Sequence, residues 1–144
     1  HRDLKPENLL LRAYGSVALT DFGIAKTIFQ PDNPDLALTR HGDLVGTPYY
    51  MSPEQVNGQR ITPQADLYSL GVVMFELLSG QRPFQADTLL AVLALHAHEP
   101  TPMLPRKHAV LQPIVDKLMA KDPSLRYTSA EELLRDLALV QPEK

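Results

Sequence analysis

Cysteine is absent from these 144 residues. That excludes disulfides, thiolate metal sites and cysteine nucleophiles, and it fits a reducing compartment. No run of about 18 apolar residues occurs, so no transmembrane helix is expected within the chain. An excess of charge of one sign is missing too. Fourteen Lys and Arg stand against 17 Asp and Glu, for a formal net charge of −3, which gives no electrostatic reason to expect nucleic acid or an acidic membrane surface as partner. Internal repeats, low-complexity tracts, a signal peptide and an initiator methionine are also lacking, and residue 1 is a histidine inside a motif. The sequence therefore reads as part of a longer open reading frame. What is present is 44% hydrophobic residues, enough for one core, and the length predicts a single domain.

Leu9-Leu10-Leu11-Arg12 and Val17-Ala18-Leu19-Thr20 flank Ala13-Tyr14-Gly15-Ser16, which predicts a β-hairpin. Residues 27–50 have no periodicity and carry Pro31, Pro34, Gly42, Gly46 and Pro48. Irregular loops of that length in compact domains are usually functional. Thr62 predicts an N-cap, with Pro63 at the first helical position. From Ala65 to Leu78 apolar residues cover most faces of the ensuing helix, so it is expected to be buried and central. Ser79-Gly80 closes it and Pro83 prevents its continuation. Three more helices follow near 87–98, 111–121 and 129–140, the last opening with the Ser129…Glu132 spacing of a capping box. His96 and His98 lie two apart, so on a helix they diverge and do not form a zinc site.

The chemistry is concentrated at the start. Residues 1–10 read HRDLKPENLL, and Asp21-Phe22-Gly23 follows. Phosphoryl transfer requires an aligned hydroxyl, cations over the phosphates and a destination for a proton. Asp3 suits the proton acceptor, and Lys5 can offset charge on the transferring phosphoryl. Asn8 offers a neutral oxygen and Asp21 an anionic one, both hard ligands suited to Mg²⁺. The hairpin between them should bring the two together. Taken singly, Asp3 reads as a turn carboxylate paired to Arg2, and Asp21 as a loop-capping residue. The succession H-R-D-x-x-x-x-N, D-F-G, Gly46-Thr47 and Ser52-Pro53-Glu54 displaces those readings.

Over essentially its whole length the chain resembles the C-terminal lobe of a eukaryotic-like (bacterial-type) serine/threonine protein kinase catalytic domain. The implied fold is mainly α, α+β in the full two-lobed enzyme. It has a short hairpin, a long activation segment and about four to five helices around a buried central helix. The implied division is a catalytic loop at 1–8, an activation segment at 21–54 and a helical subdomain at 55–141. Ser52-Pro53-Glu54 stands where A-P-E is usual, and Asp66-Leu67-Tyr68-Ser69-Leu70-Gly71 resembles D-x-W-S-x-G with Tyr68 for Trp. The resemblance implies that Asp66 braces the catalytic-loop backbone and that Glu54 pairs with Arg126. It further implies that His1 and Phe22 stack, and that Leu9, Leu10 and Leu11 floor the adenine pocket.

Lys5 indicates the substrate class, since H-R-D-L-K-P-E-N is the serine/threonine form. By resemblance Thr47 bonds to Asp3 and Lys5. The expected catalytic residues are then Asp3, Lys5, Asn8 and Thr47. ATP contacts are expected at Lys5, Asn8, Leu10 and Asp21, and Mg²⁺ ligands at Asn8 and Asp21. Arg2 beside Asp3 resembles kinases switched on by loop phosphorylation; Lys26 completes a basic pocket and Thr39 is the candidate acceptor. Expected partners are protein substrates and ATP, with a homodimer of the full-length enzyme open. The need for ATP places this lobe in the cytoplasm, as an intact protein or as the cytosolic domain of an anchored one. No G-x-G-x-x-G and no V-A-I-K-type lysine occur, so the N-terminal lobe is expected to be absent. The isolated piece is expected to be inactive, with an exposed apolar patch and marginal solubility. A different class of function is a non-catalytic lobe acting as a binding or decoy module; intact Asp3, Lys5, Asn8 and Asp21 argue against it.

Overall fold

A computed structural model describes residues 1–22 and 48–140. They are mainly helical with one two-stranded antiparallel sheet, as the resemblance implies. Strands β1 (Leu9–Leu11) and β2 (Val17–Leu19) pair Leu9 with Leu19 and Leu11 with Val17. The Arg12 N–H donates to the Ser16 carbonyl at 2.8 Å and closes the turn. Within it Gly15 takes φ 77° and Tyr14 φ 68°. The left-handed region is open to glycine but costs a residue such as tyrosine about 1–2 kcal/mol.

Five α-helices follow: α1 (Pro53–Val56), α2 (Gln64–Ser79), α3 (Leu89–His98), α4 (Gln112–Leu118) and α5 (Ala130–Leu139). Of the two predicted caps, Ser129 holds and Thr62 does not. Ser52 and Gln55 form a reciprocal capping box at α1, with the Ser52 N–H donating to Gln55 Oε1 at 2.9 Å and the Gln55 N–H to Ser52 Oγ at 3.4 Å. Thr62 does not cap α2 with its side chain. Its carbonyl accepts from the Ala65 N–H, while its Oγ1 is buried without a partner. At α3 the cap is Thr88, whose Oγ1 accepts from the Ala91 N–H, so the helix begins two residues later than expected. Helix α4 is shorter than 111–121: residues 106–111 wind as a tighter 3₁₀ turn ahead of it, and it ends at Leu118 with Met119 as its C-cap. Ser129 caps α5 as expected, but Glu132 does not return to the Ser129 backbone. Its carboxylate accepts instead from the Thr128 N–H and hydroxyl, at 2.8 and 2.9 Å, and from Lys117 Nζ at 2.7 Å.

Helix α2 is the centre of the packing. Tyr68, Val72, Val73 and Phe75 join Tyr50, Phe84, Leu104, Val115 and Met119 in one cluster, beside a second built from Ile114, Leu118, Tyr127 and Leu133. Gly71 lets α2 and α4 approach closely: a Cβ there would lie 2.7 Å from Leu118 Cβ and 2.8 Å from Met119 Cγ. The burial is not complete, because Leu77 is 76% exposed. Leu10, Leu11, Val17 and Phe22 of the hairpin side are exposed as well. Among the described residues no helix is long and apolar enough to cross a membrane.

Glu54 and Arg126 form the expected ion pair, both 2% exposed. The pair is bidentate at 2.7 and 2.8 Å. The guanidinium also donates to the carbonyls of Ala120, Gln64 and Lys121, so all five of its N–H groups are satisfied. That completeness is what makes a buried charge pair tolerable.

Candidate active site

The segment carrying Asp3 is fixed through its backbone. The Asp66 carboxylate, from the first turn of α2, accepts from the His1 main-chain nitrogen at 2.8 Å and the Arg2 N–H at 2.9 Å. From the other side the Gln55 amide of α1 donates to the Arg2 carbonyl at 3.4 Å. The His1 ring spans the third direction. Its Nδ1 accepts from the Asp3 N–H at 3.3 Å, which leaves the proton on Nε2, 2.8 Å from the Thr20 carbonyl. Arg2 is held at φ 66° by these contacts. Such strain persists only where the surroundings over-determine it, and it concentrates at functional sites.

Asn8 is 4% exposed and ties the two motifs together. Its Nδ2 donates to the Asp3 carbonyl at 2.8 Å and lies 3.4 Å from Asp3 Oδ2, which turns Oδ1 away from Asp3. Its carbonyl accepts from the Thr20 N–H at 2.9 Å and from the Thr20 hydroxyl at 3.3 Å. The hairpin register thus continues one residue beyond the strands, and Asp21 emerges directly after a residue bonded to Asn8. Asp21 is exposed and also left-handed, at φ 52°. Lys5 Nζ stands 3.6 Å from Asp3 Oδ2. One carboxylate with an ammonium beside it and one amide therefore lie together at the end of the hairpin, and Asp21 follows in sequence directly after Thr20.

Other predicted residues divide. His1 and Phe22 are in contact with ring centroids 4.9 Å apart, but the rings are tilted by 52° rather than stacked. Strand alternation puts Leu10 on the face opposite Leu9, which packs on the core, so the three leucines cannot form one floor. The Arg2 side chain is exposed. Lys26, Thr39 and Thr47 lie outside the described residues.

Two clusters escaped sequence reasoning. In the first, the Tyr50 hydroxyl donates to Glu76 Oε2 at 2.5 Å while Arg82 Nε stands 3.6 Å from Oε1. Burial, and then the Glu76 hydrogen bond, push the Tyr50 hydroxyl up to about 12. The second surrounds His96, which is fully buried. Its Nδ1 lies 2.9 Å from the Tyr68 hydroxyl, and Lys121 Nζ donates to the His96 carbonyl at 2.9 Å and to Tyr68 at 3.4 Å. Burial and the Lys121 ammonium push His96 down to about 4, and burial and Arg126 push Lys121 down to about 8. His98 is exposed on the other side, so the two histidines diverge as expected. The Tyr-for-Trp exchange at position 68 was the available signal for this cluster, since a hydroxyl buried in a helix needs a partner.

Residues 1–137 match the protein kinase domain family. The chain is 42% identical over 142 residues to the serine/threonine-protein kinase drp72 of Corynebacterium efficiens, covering 98% of this chain and 26% of that protein. It is 41% identical to a probable serine/threonine-protein kinase PknB of Lactococcus lactis, covering 96% of this chain and 22% of the relative. To the serine/threonine-protein kinase PknB of Mycobacterium tuberculosis it is 38% identical, covering 97% and 22%. The chain thus spans about a quarter of the length of these relatives.

Proposed function

The chain belongs to the protein kinase domain family, and from that premise we propose that it is the C-terminal lobe of a bacterial-type serine/threonine kinase, with catalytic loop 1–8, activation segment 21–54 and helical subdomain 55–141. The observation that carries this reading is the hydrogen-bonded set Asp3–Asn8–Thr20, braced by Asp66 and leading straight into Asp21.

In this reading Asp3 accepts the proton of a substrate Ser or Thr hydroxyl. The hydroxyl oxygen forms its bond to the γ-phosphorus of ATP as the bond to the ADP oxygen breaks. Lys5, already 3.6 Å from Asp3 Oδ2, offsets charge on the transferring group. The donor set suits Mg²⁺, which takes few protein oxygens and fills its remaining positions with water and phosphate. Asn8 Oδ1 and the Asp21 carboxylate would hold it, and the bound ion would neutralise phosphate charge. Leu10 would contact the nucleotide and Thr47 would position Asp3 and Lys5. Phosphorylated Thr39 would engage Arg2 and Lys26 and order residues 30–46. The requirement for ATP places the lobe in the cytoplasm. The 144-residue piece by itself is inactive, because it carries neither a glycine-rich loop nor a phosphate-holding lysine.

The test is phosphate transfer from labelled ATP to a protein substrate by the intact protein bearing this chain, with and without Asp3→Asn. Loss of a general base lowers kcat by about 10²–10⁴-fold. Full activity in the Asp3→Asn protein, or robust transfer by residues 1–144 alone, would overturn the reading.

A further inference from the structure

The stretch of chain that follows Pro48 is gripped by α2. The Ser69 hydroxyl donates to the Tyr50 carbonyl at 2.6 Å, and the Tyr50 hydroxyl donates to Glu76 at 2.5 Å. The Arg82 guanidinium faces Glu76 and lies over the Tyr49 ring, its carbon 4.0 Å from the centroid. Further along, Glu54 is locked to Arg126 by two hydrogen bonds. Gln55 therefore projects from anchored backbone.

Both ends of the Gln55 amide are in use. Its Oε1 accepts from the Ser52 N–H at 2.9 Å and from the Ser52 hydroxyl at 3.2 Å, which completes the cap of α1. Two donors at one end decide which end is the oxygen. The nitrogen is thereby turned away from the cap, and it donates to the Arg2 carbonyl at 3.4 Å. That bond is long, and its importance lies in what it holds.

The Arg2 carbonyl and the Asp3 N–H belong to one planar peptide unit. Gln55 holds its carbonyl edge, and the His1 ring accepts from its N–H edge at 3.3 Å. Asp66 fixes the preceding plane through the Arg2 N–H at 2.9 Å. Rotation of the Arg2–Asp3 plane changes ψ of Arg2 and φ of Asp3 together, so it moves the Asp3 carboxylate. With Arg2 at φ 66° the backbone here is strained, and such a conformation relaxes once a holding contact is lost. We propose that Gln55 is a positioning residue for Asp3: a single amide closes the cap of α1 through its oxygen and holds the Arg2–Asp3 peptide plane through its nitrogen, so that the carboxylate is in place only while α1 is formed. The proposal rests on the kinase reading above and names the contact through which the segment after Pro48 acts on the proton acceptor.

The experiment compares the intact kinase bearing this chain as wild type, Gln55→Glu and Gln55→Ala, by denaturant unfolding and by steady-state phosphorylation of a protein substrate. Glutamate keeps an acceptor for the Ser52 N–H, as capping boxes commonly do, but has no N–H for the Arg2 carbonyl. Alanine removes both. The denaturant midpoint is expected to hold in Gln55→Glu and to fall in Gln55→Ala. In both variants kcat is expected to fall about tenfold, with KM for ATP within about twofold of wild type. An unchanged kcat in Gln55→Glu would overturn the proposal. Losses of kcat in proportion to losses of stability would make Gln55 merely a cap residue, and a rise in KM with kcat intact would make it a binding residue; either result overturns it as well. Any of these outcomes with an active wild type defeats this inference alone. Absence of phosphorylation by wild type defeats the kinase reading and this inference with it.

Discussion

Acidification should destabilise this fold through His96 before it does so through any carboxylate. The imidazole is fully buried against Phe84 and Tyr68, with its Nε2 lacking a partner and the Lys121 ammonium nearby. It titrates near 4 in the folded chain against 6.5 ordinarily. Between those values the unfolded chain binds a proton that the folded chain does not, so stability falls as pH falls. It is at its full value above 6.5 and loses about 3 kcal/mol by pH 4, each pH unit of separation being worth about 1.4 kcal/mol. Glu132, held near 2 by Lys117 and Thr128, acts only below its ordinary 4.5, so the change between pH 6.5 and 4.5 belongs to His96. The assay is urea unfolding at fixed ionic strength from pH 7.5 to 4.5, comparing wild type with His96→Gln, which keeps an acceptor for the Tyr68 hydroxyl but cannot titrate. The variant should be less stable at neutral pH and much flatter in pH. Parallel curves for the two proteins would refute the assignment.

Other outcomes follow from single contacts. Gly71→Ala should lower stability by about 1–3 kcal/mol despite the better helix propensity of alanine, because the added methyl meets Leu118 and Met119; denaturant midpoints check this. Arg126→Met should cost about 3–5 kcal/mol and more than Glu54→Gln, since it strips three backbone carbonyls of their donor as well as leaving Glu54 buried. The two threonines ahead of helices should behave oppositely in thermal unfolding. Thr62→Val removes an unpartnered buried hydroxyl and should be neutral or stabilising, whereas Thr88→Val removes a cap worth about 1 kcal/mol.

The parts of the fold visible in the sequence were those set by local periodicity and by long motifs. The hairpin, the apolar central helix and the Ser129 cap all declare themselves within a few residues. What stayed hidden depends on contacts between distant positions. Thr62 looks like a better cap than it is because its hydroxyl is turned into a site with no free N–H, while the true reciprocal box lies at Ser52 and Gln55 inside a stretch read chiefly for its Ser-Pro-Glu motif. His96 was weighed only against His98, its neighbour in sequence. Its actual partners are Tyr68 and Lys121, 28 and 25 residues away. Arg82 carried no motif, and its orientation depends on Tyr49 and Glu76 together. At the site the residue types were legible, and strand alternation within the predicted hairpin already separates Leu10 from Leu9, but the tilt between His1 and Phe22 is a property of ring packing that no spacing rule specifies.

The geometry around Arg2 shows how stability of the helical part reaches the chemistry. A left-handed arginine relaxes toward ordinary backbone unless something holds it, and relaxation would swing Asp3, the next residue, away from Asn8. Three contacts oppose that movement: Asp66 on the Arg2 N–H, Gln55 on its carbonyl, and the His1 ring on the Asp3 N–H. Two of them belong to α2 and α1. Helix α1 is only four residues long, too short to persist alone, and it is held by its capping box and by the Glu54–Arg126 pair. Arg126 in turn is fixed by carbonyls at Ala120 and Lys121, beyond α4. The placement of Asp3 therefore depends on a contiguous path that reaches back from Ala120 and Lys121 through Arg126 and Glu54 to Gln55. Loosening that path at Arg126 should disturb residues 1–8 without touching any of them.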